Sequence, residues 1–384
     1  MNSLQLILSN KKYFAPAWVF ASLNIMFGTW AIYIPDIKSK LAISEGQLGI
    51  ALFFFALGTL VFIPMTPIII KKLGLGRATI IAVSLYAISF LLPFLANSYF
   101  ILGASLFVVG LTSGFTDIAM NTLVSQVEKD ENVTFMSASH GFFSLGGVIG
   151  AGIGSFLKLY LDAPLHHIMY VMCFVVLTNL ILFKYYVHVK GSTEASGRLE
   201  LKYLKPLIGL SVIGFLILAS EGAIADWSSL YLENVTLTNS TILMGLGYTI
   251  FSATMTIGRF FGDYVSDKYG ALKIIIGGAF IGVLGYAFVL TANTYAALLG
   301  FGLVGLGFSV IIPELFRLAG KVEGVEPAKG ISFIAGISYV GFLSGPVILG
   351  FLADISSLRL SYTVLLFAAG VVFLTAFYLK QKKK

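Results

Sequence analysis

The sequence predicts an all-α integral membrane protein with twelve transmembrane helices in two pseudo-symmetric six-helix bundles. Three observations carry that prediction: a scarcity of charge, a regular series of long apolar segments, and a match between the two halves of the chain. Of 384 residues, 58% are hydrophobic and 11% are charged, with mean hydropathy +0.93. An ordinary soluble domain carries about 25% charged residues. Even a 300-residue soluble fold still exposes about a quarter of the surface of its unfolded chain. These figures exclude a soluble enzyme, a nucleic-acid binder and a disordered scaffold. A single cysteine, Cys173, excludes a disulfide framework and a cysteine-based metal site. The 41 glycines suit close approach of membrane helices.

Crossing a hydrocarbon core of about 30 Å takes about 20 mostly apolar residues. Twelve segments qualify: 14–35, 47–70, 78–96, 99–125, 136–157, 167–187, 206–231, 242–264, 273–291, 295–317, 331–353 and 361–379. The alternating polarity of a membrane β-barrel is absent. The first segment is too long for a cleavable signal peptide, and its flank (Pro35, Asp36, Lys38, Lys40) has no small-residue cleavage site. With both termini in the cytoplasm, 21 of the 25 Lys and Arg fall on the inner side, as the positive-inside rule requires. The net charge of +7 is thus a topology signal and calls for no nucleic acid.

The longest polar stretch, Lys190-Gly-Ser-Thr-Glu-Ala-Ser-Gly-Arg-Leu-Glu, reads as a cytoplasmic linker. It divides the chain into an N-terminal bundle (1–188), a linker (189–203) and a C-terminal bundle (204–384). The halves match at an offset near 195. Asn24…Trp30 pairs with Glu221…Trp227 at 197, and Gly114-Phe115-Thr116 pairs with Gly307-Phe308-Ser309, which sets Asn121 opposite Glu314. Gly141, Gly146 and Gly150 pair with Gly336, Gly341 and Gly345. Parallel six-helix repeats are a common transporter plan, with the site near the midplane between the halves.

After the eighth span comes Gly258-Arg259-Phe-Phe-Gly262-Asp263-Tyr-Val-Ser-Asp267-Lys268-Tyr-Gly270. This string resembles the cytoplasmic loop motif G-x-x-x-D-R-x-G-R of the major facilitator superfamily, and the resemblance extends over essentially the whole chain. It implies an inner gate of turn glycines and Asp–basic pairs, here Arg259, Asp263, Asp267, Gly270 and, in the matching loop after the second span, Gly74. That second loop departs from the motif, with Lys71 where the family usually has Asp. Asp117-Ile-Ala-Met-Asn121, Ser139-His140-Gly141 and Glu221-Gly-Ala-Ile-Ala-Asp226-Trp227 look similar to a bacterial branch near the fucose–proton symporters, the inner-membrane proteins of YbjJ type. The resemblance implies transport by alternating access and a monomer, but little about cargo. The basic residue usual in the fourth helix of the superfamily's proton-coupled drug exporters is missing here.

An ionisable group inside a span costs about 2.5–3.5 kcal/mol on insertion scales, so each one needs a reason. Glu221, Asp117, Asp226 and His140 are the exceptions to the rule that charges lie in loops. Glu221 falls at midplane depth and reads as a proton-coupling or substrate-binding carboxylate, against the plainer reading of an interhelical hydrogen bond. Asp226 reads equally as a coupling group or as a residue facing vestibule water. Asp117 and Asn121 share one helix face, and His140 on the next helix offers either a carboxylate–imidazole relay or a polar clamp. Substrate-binding candidates are Asn24, Asn121, Trp227, Trp30, Tyr248 and Tyr339. Trp227 could stack on a sugar ring or a cation, whereas an interfacial aromatic belt better explains Trp30. No Lys or Arg is expected near a midplane, which argues against an anionic cargo. His166 and His167 read as solvated residues of an outer loop, and no metal site, nucleotide loop or catalytic triad is legible.

The expected function is proton-coupled symport of a small neutral, sugar- or polyol-like solute. The alternative is proton-driven efflux of cationic or amphipathic compounds. A non-transporting receptor ranks third and an enzyme last. Expected partners are a small-molecule substrate, protons and the lipid bilayer of a bacterial inner membrane, with no cofactor.

Overall fold

The computed structural model describes residues 3–161, 163–190, 204–322, 325 and 327–382. The expected linker at 189–203 therefore lies almost wholly outside the described residues. The chain divides into two compact units, Met1–Ala195 and Ser196–Lys384, and no strand occurs among the described residues.

In the first unit, a short leading helix precedes α1 (Lys11–Ala31), α2 (Glu45–Leu73), α3 (Leu75–Leu95), α4 (Tyr99–Glu131), α5 (Ala138–Leu157) and α6 (Pro164–Tyr185). In the second come α7 (Leu204–Asn234), α8 (Thr241–Tyr269), α9 (Ala271–Val289), α10 (Thr294–Ala319), α11 (Pro327–Ile355) and α12 (Leu358–Lys382). Among the described residues, eleven helices are long and apolar enough to span a membrane, and counting α1 with Ile34–Leu41, into which it bends by 44°, as one span makes twelve. Large apolar side chains such as Phe100 and Phe367 stand exposed on the outside, as a lipid-facing surface requires.

The helices begin where side chains can take up free backbone N–H groups. Asn10, Ser98, Ser240 and Asn293 do this for α1, α4, α8 and α10. Ser44 and Gln47 form a reciprocal capping box on α2. Glu128 of α4 accepts from Phe135 N at 2.5 Å and Met136 N at 2.7 Å, tying the end of α4 to the start of α5. The turns after α2 and α8 are alike. Gly74 has φ +81°, ψ 150° and Gly270 has φ +85°, ψ 146°. A Cβ at either would meet nothing within 4 Å, so backbone conformation alone demands glycine there.

Glycines set the closest helix contacts. A Cβ on Gly146 of α5 would strike Ala21 O of α1, and one on Gly150 would strike Ile25 O. In the second unit Gly341 of α11 meets Phe215 O of α7, and Gly345 lies 3.2 Å from Ala219 O by the same measure. These contacts fix the repeat. Helix α5 maps onto α11 at 195, as the glycine pattern predicts, but α1 maps onto α7 at 194 rather than 197. Glu221 is therefore the counterpart of Phe27, not of Asn24, and lies about one helical turn from Asn24's equivalent. Likewise Gly110 of α4 packs on Phe55 O and Gly305 of α10 packs on Phe251 O, so α4 maps onto α10 at 195. Asn121 is thus not opposite Glu314. Glycine is frequent enough here for one-turn shifts to look equally good in sequence.

The units differ where their helices are interrupted. In the first, α2 passes through a 3₁₀ turn at Ile63–Met65, where Pro64 sits, and α5 contains a π segment at Val148–Ile153. In the second, α8 runs unbroken, whereas α10 is interrupted between Phe308 and Ile311.

Candidate functional site

Glu221 lies 17 residues after the start of α7 and 13 before its end, about 26 Å and 20 Å along the axis. It faces Arg259 of α8, with Nη2 to Oε2 at 3.7 Å. That distance makes an ion pair rather than a hydrogen bond. The side chains are only 14% and 15% exposed, and Glu221 Oε1 is buried with no hydrogen-bond partner. Arg259 also directs Nε to Ser309 O at 3.5 Å, at the break in α10. The helix interruption thus presents a carbonyl to the guanidinium.

This pair corrects two expectations. Arg259, assigned to the cytoplasmic loop motif although the expected span 242–264 includes it, belongs to the span Thr241–Gly262. A base therefore lies inside the bundle, and its pairing with Glu221 removes the ground for excluding an anionic cargo. The family-like string begins three turns before the turn glycine, so its first charge falls within the helix.

Asp226 lies 6% exposed, which overturns the reading that it faces vestibule water. Tyr362 of α12 is its aromatic neighbour. Tyr362 OH is buried without a hydrogen-bond partner, and so are Trp227 Nε1 and, on the side of α7 toward Gly247 of α8, Ser228 Oγ. The Tyr362 ring lies 4.5 Å from Tyr231 and 6.3 Å from Tyr286, and Tyr231 OH donates to Val289 O at 2.8 Å. Tyr362 is close enough to Asp226, and Tyr286 to Glu221, for electrostatic interaction. Tyr286 and Tyr362 have no distinguishing sequence signal among 18 tyrosines, since their neighbours come from distant helices.

The first unit meets its polar needs differently. Asn24 is buried and its amide donates to Phe143 O of α5 at 2.9 Å. Asn179 donates to Ser22 Oγ at 2.8 Å, and Trp18 Nε1 donates to Thr178 Oγ1 at 3.0 Å. These bonds fasten α1 to α5 and α6. Asn121 donates to Asp117 O at 2.8 Å and to Asp117 Oδ1 at 3.2 Å, within one helix face. The His140 ring packs edge-on against Phe20 at 5.1 Å. Trp30 is 1% exposed and packs on Phe90 and Phe94, so the aromatic-belt reading is corrected: the ring is interior. His167 is no solvated loop residue either. It is buried in the first turn of α6 and shares a 2.9 Å hydrogen bond with Tyr33 OH.

Of the remaining candidates, Tyr248 is buried and stacks on Phe251, and Tyr339 stacks on Phe342. Gly74 and Gly270 form the turns after α2 and α8, while the side chains of Asp263 and Asp267 lie outside the described residues. Near that second turn, Arg317 donates to Ser266 Oγ at 2.7 Å and pairs with buried Glu314 at 3.5 Å. No cluster of metal-ligating side chains occurs among the described residues.

The family model described as Major Facilitator Superfamily matches residues 18–321 and 210–384. The chain belongs to this superfamily. An uncharacterised MFS-type transporter of Yersinia pestis is 32% identical over 90% of this chain and 89% of its own length. The quinolone resistance protein NorA of Staphylococcus aureus is 21% identical over 89% of each. Among solved structures, the nucleoside transporter NupG covers 98% of this chain and 99% of its own, with TM-score 0.72 at 13% identity. The E. coli fucose:proton symporter FucP covers 95% and 97%, with TM-score 0.63 at 17% identity. At those identities the structures share the major facilitator fold. The chain is a transporter of that superfamily and not an enzyme.

Proposed function

We propose that this major facilitator protein couples proton movement to transport of a small neutral, polyhydroxylated solute by alternating access, with Glu221 as the coupling carboxylate. The carrying observation is the interior Glu221–Arg259 pair with its unpartnered carboxylate oxygen. A proton added to Glu221 neutralises the carboxylate and weakens its hold on the Arg259 guanidinium, which can exchange that contact for one to solute. Loss of that proton to the opposite side restores the pair. Removing one partner of a buried pair leaves an uncompensated charge, so the cycle links protonation to a change of contacts. Tyr362 supplies an unmatched hydroxyl near Asp226, with the Tyr286 ring next to it. A solute rich in hydroxyls suits these groups once this region opens. Asn24, Asp117, Asn121, His140, Trp30, Tyr248 and Tyr339 remain as secondary positions for solute or proton.

Purified protein in proteoliposomes tests this with a panel of sugars, polyols and nucleosides under an imposed inward proton gradient. Symport accumulates one of them, and Glu221→Gln abolishes the gradient-driven part while exchange between equal pools persists. Accumulation that ignores the gradient, or survives intact in Glu221→Gln, overturns the proposal.

A second reading is proton-driven efflux, favoured by the match to NorA across 89% of the chain. The same vesicles separate the two, because an exchanger under that gradient expels solute.

A further inference from the structure

A groove of about 410 Å³ runs along the outside of the second unit between α8, α9 and α10. Its rims carry apolar side chains open to the surroundings, Ile257 at 53% and Phe261 at 64% exposed. Gly258, Gly262, Gly277 and Gly278 line it; Gly258, Gly262 and Gly278 let α8 and α9 pack closely on α10, and only Gly277 borders open space. At one end, beside the Gly270 turn, stand Tyr269 and Lys273. Lys273 is exposed and its side chain forms no hydrogen bond or ion pair with any described residue, and Lys268 lies nearby over the Tyr269 ring at 5.4 Å.

The repeat does not carry this glycine lining into the first unit. At the offset of 196 that superposes Gly74 on Gly270, the four glycines correspond to Phe62, Thr66, Ile81 and Ala82. The counterpart of Lys273 is Arg77, so the charge recurs while the glycines do not. A Cβ at Gly277 would meet nothing within 4 Å. Internal packing therefore does not demand glycine there, and the open space belongs to the groove.

We propose that this groove binds an anionic phospholipid, with one acyl chain along the groove and the headgroup phosphate at Lys273. Dimensions support that occupant. From Ile257 to Tyr269 the groove follows α8 for 12 residues, about 18 Å, close to the half-thickness of a hydrocarbon core of about 30 Å. Charge supports it too: an unpaired ammonium at the end of an apolar trough attracts an anionic headgroup at the membrane surface. That end lies on the side the basic-residue count assigns to the cytoplasm. The lipid site is independent of what is transported and of proton coupling.

The test uses the full-length protein purified in detergent, titrated with phosphatidylglycerol, phosphatidylcholine or inorganic phosphate. The readouts are thermal midpoint and lipid retained in native mass spectrometry. A ligand bound only by the folded state raises the midpoint with concentration. Phosphatidylglycerol should raise it more than phosphatidylcholine, and inorganic phosphate should leave it unchanged. Lys273→Glu should abolish the phosphatidylglycerol preference, and Lys273→Arg should keep it. Gly277→Leu should fill the trough and eliminate the retained lipid without lowering the lipid-free midpoint. Equal shifts with both lipids, an unchanged preference in Lys273→Glu, or retained lipid in Gly277→Leu would each overturn the site. So would self-association through this face without lipid.

Discussion

The two units follow one helical plan and differ in where their interiors carry charge. Both bond polar side chains to a neighbouring helix, Asn24 to Phe143 O and Asn179 to Ser22 in the first and Tyr231 to Val289 O in the second, and both bury some polar atoms without a partner, among them His167 Nε2 and Tyr186 OH in the first. In the second, a carboxylate and a guanidinium sit where the first unit has Phe27 and Ile63. Satisfied networks hold a single arrangement, whereas unsatisfied buried groups carry a cost that another arrangement can relieve. Among the described residues, the second unit alone of the two has this interior ion pair, a contact that protonation can change.

Breaking the Glu221–Arg259 pair is the most severe test of that contrast. Arg259→Ala leaves a buried carboxylate uncompensated and should destabilise the protein by about 3–5 kcal/mol, measured as loss of thermal midpoint in detergent. The double variant Glu221→Phe with Arg259→Ile copies the first unit and should recover most of that stability. Recovery without gradient-driven transport would mark the pair as functional rather than structural. If the double variant is as unstable as Arg259→Ala, the pair is structural and the contrast between the units fails.

The turn glycines test the opposite limb, where the units are alike. Gly74→Ala and Gly270→Ala force a side chain into backbone conformations nearly restricted to glycine, at a cost of about 1–3 kcal/mol each. Their losses of thermal stability should be nearly equal, and additive in the double variant because the sites share no partner. A loss confined to Gly270→Ala would show that the second unit's turn carries strain the first does not.

How much of this was legible in the sequence follows from distance along the chain. The twelve spans and the repeat rest on local composition and on glycines that recur at fixed spacing. The Gly74 and Gly270 turns are local in the same sense. Register resisted because glycines one turn apart compete, which misplaced Glu221 opposite Asn24. Arg259 was misread because a motif seen as a loop begins inside a helix that continues to Tyr269. Tyr286 and Tyr362 could not be singled out, since α7, α9 and α12 must be brought together before their rings and the acids meet.

A smaller effect is expected from Asn24→Leu, which removes the bond to Phe143 O. Interhelical hydrogen bonds in membranes average about 0.6 kcal/mol, so the midpoint should fall slightly and transport should continue. Transport lost at preserved stability would return Asn24 to the solute site and give the first unit a share in function.

The smallest stability change should come from Tyr286→Phe and Tyr362→Phe. Each removes a buried hydroxyl: that of Tyr362 lacks a hydrogen-bond partner, and that of Tyr286 lies beside Ser220. Deleting an unsatisfied polar group while keeping the ring leaves packing intact and relieves a desolvation penalty, so the Tyr362→Phe midpoint should hold or rise. The informative readout is gradient-driven transport in the same preparations. If those hydroxyls wait for solute or for the proton passing between Asp226 and Glu221, transport falls while stability does not. If both hold, these hydroxyls have no part in function, and the second unit's difference from the first reduces to the single pair Glu221–Arg259.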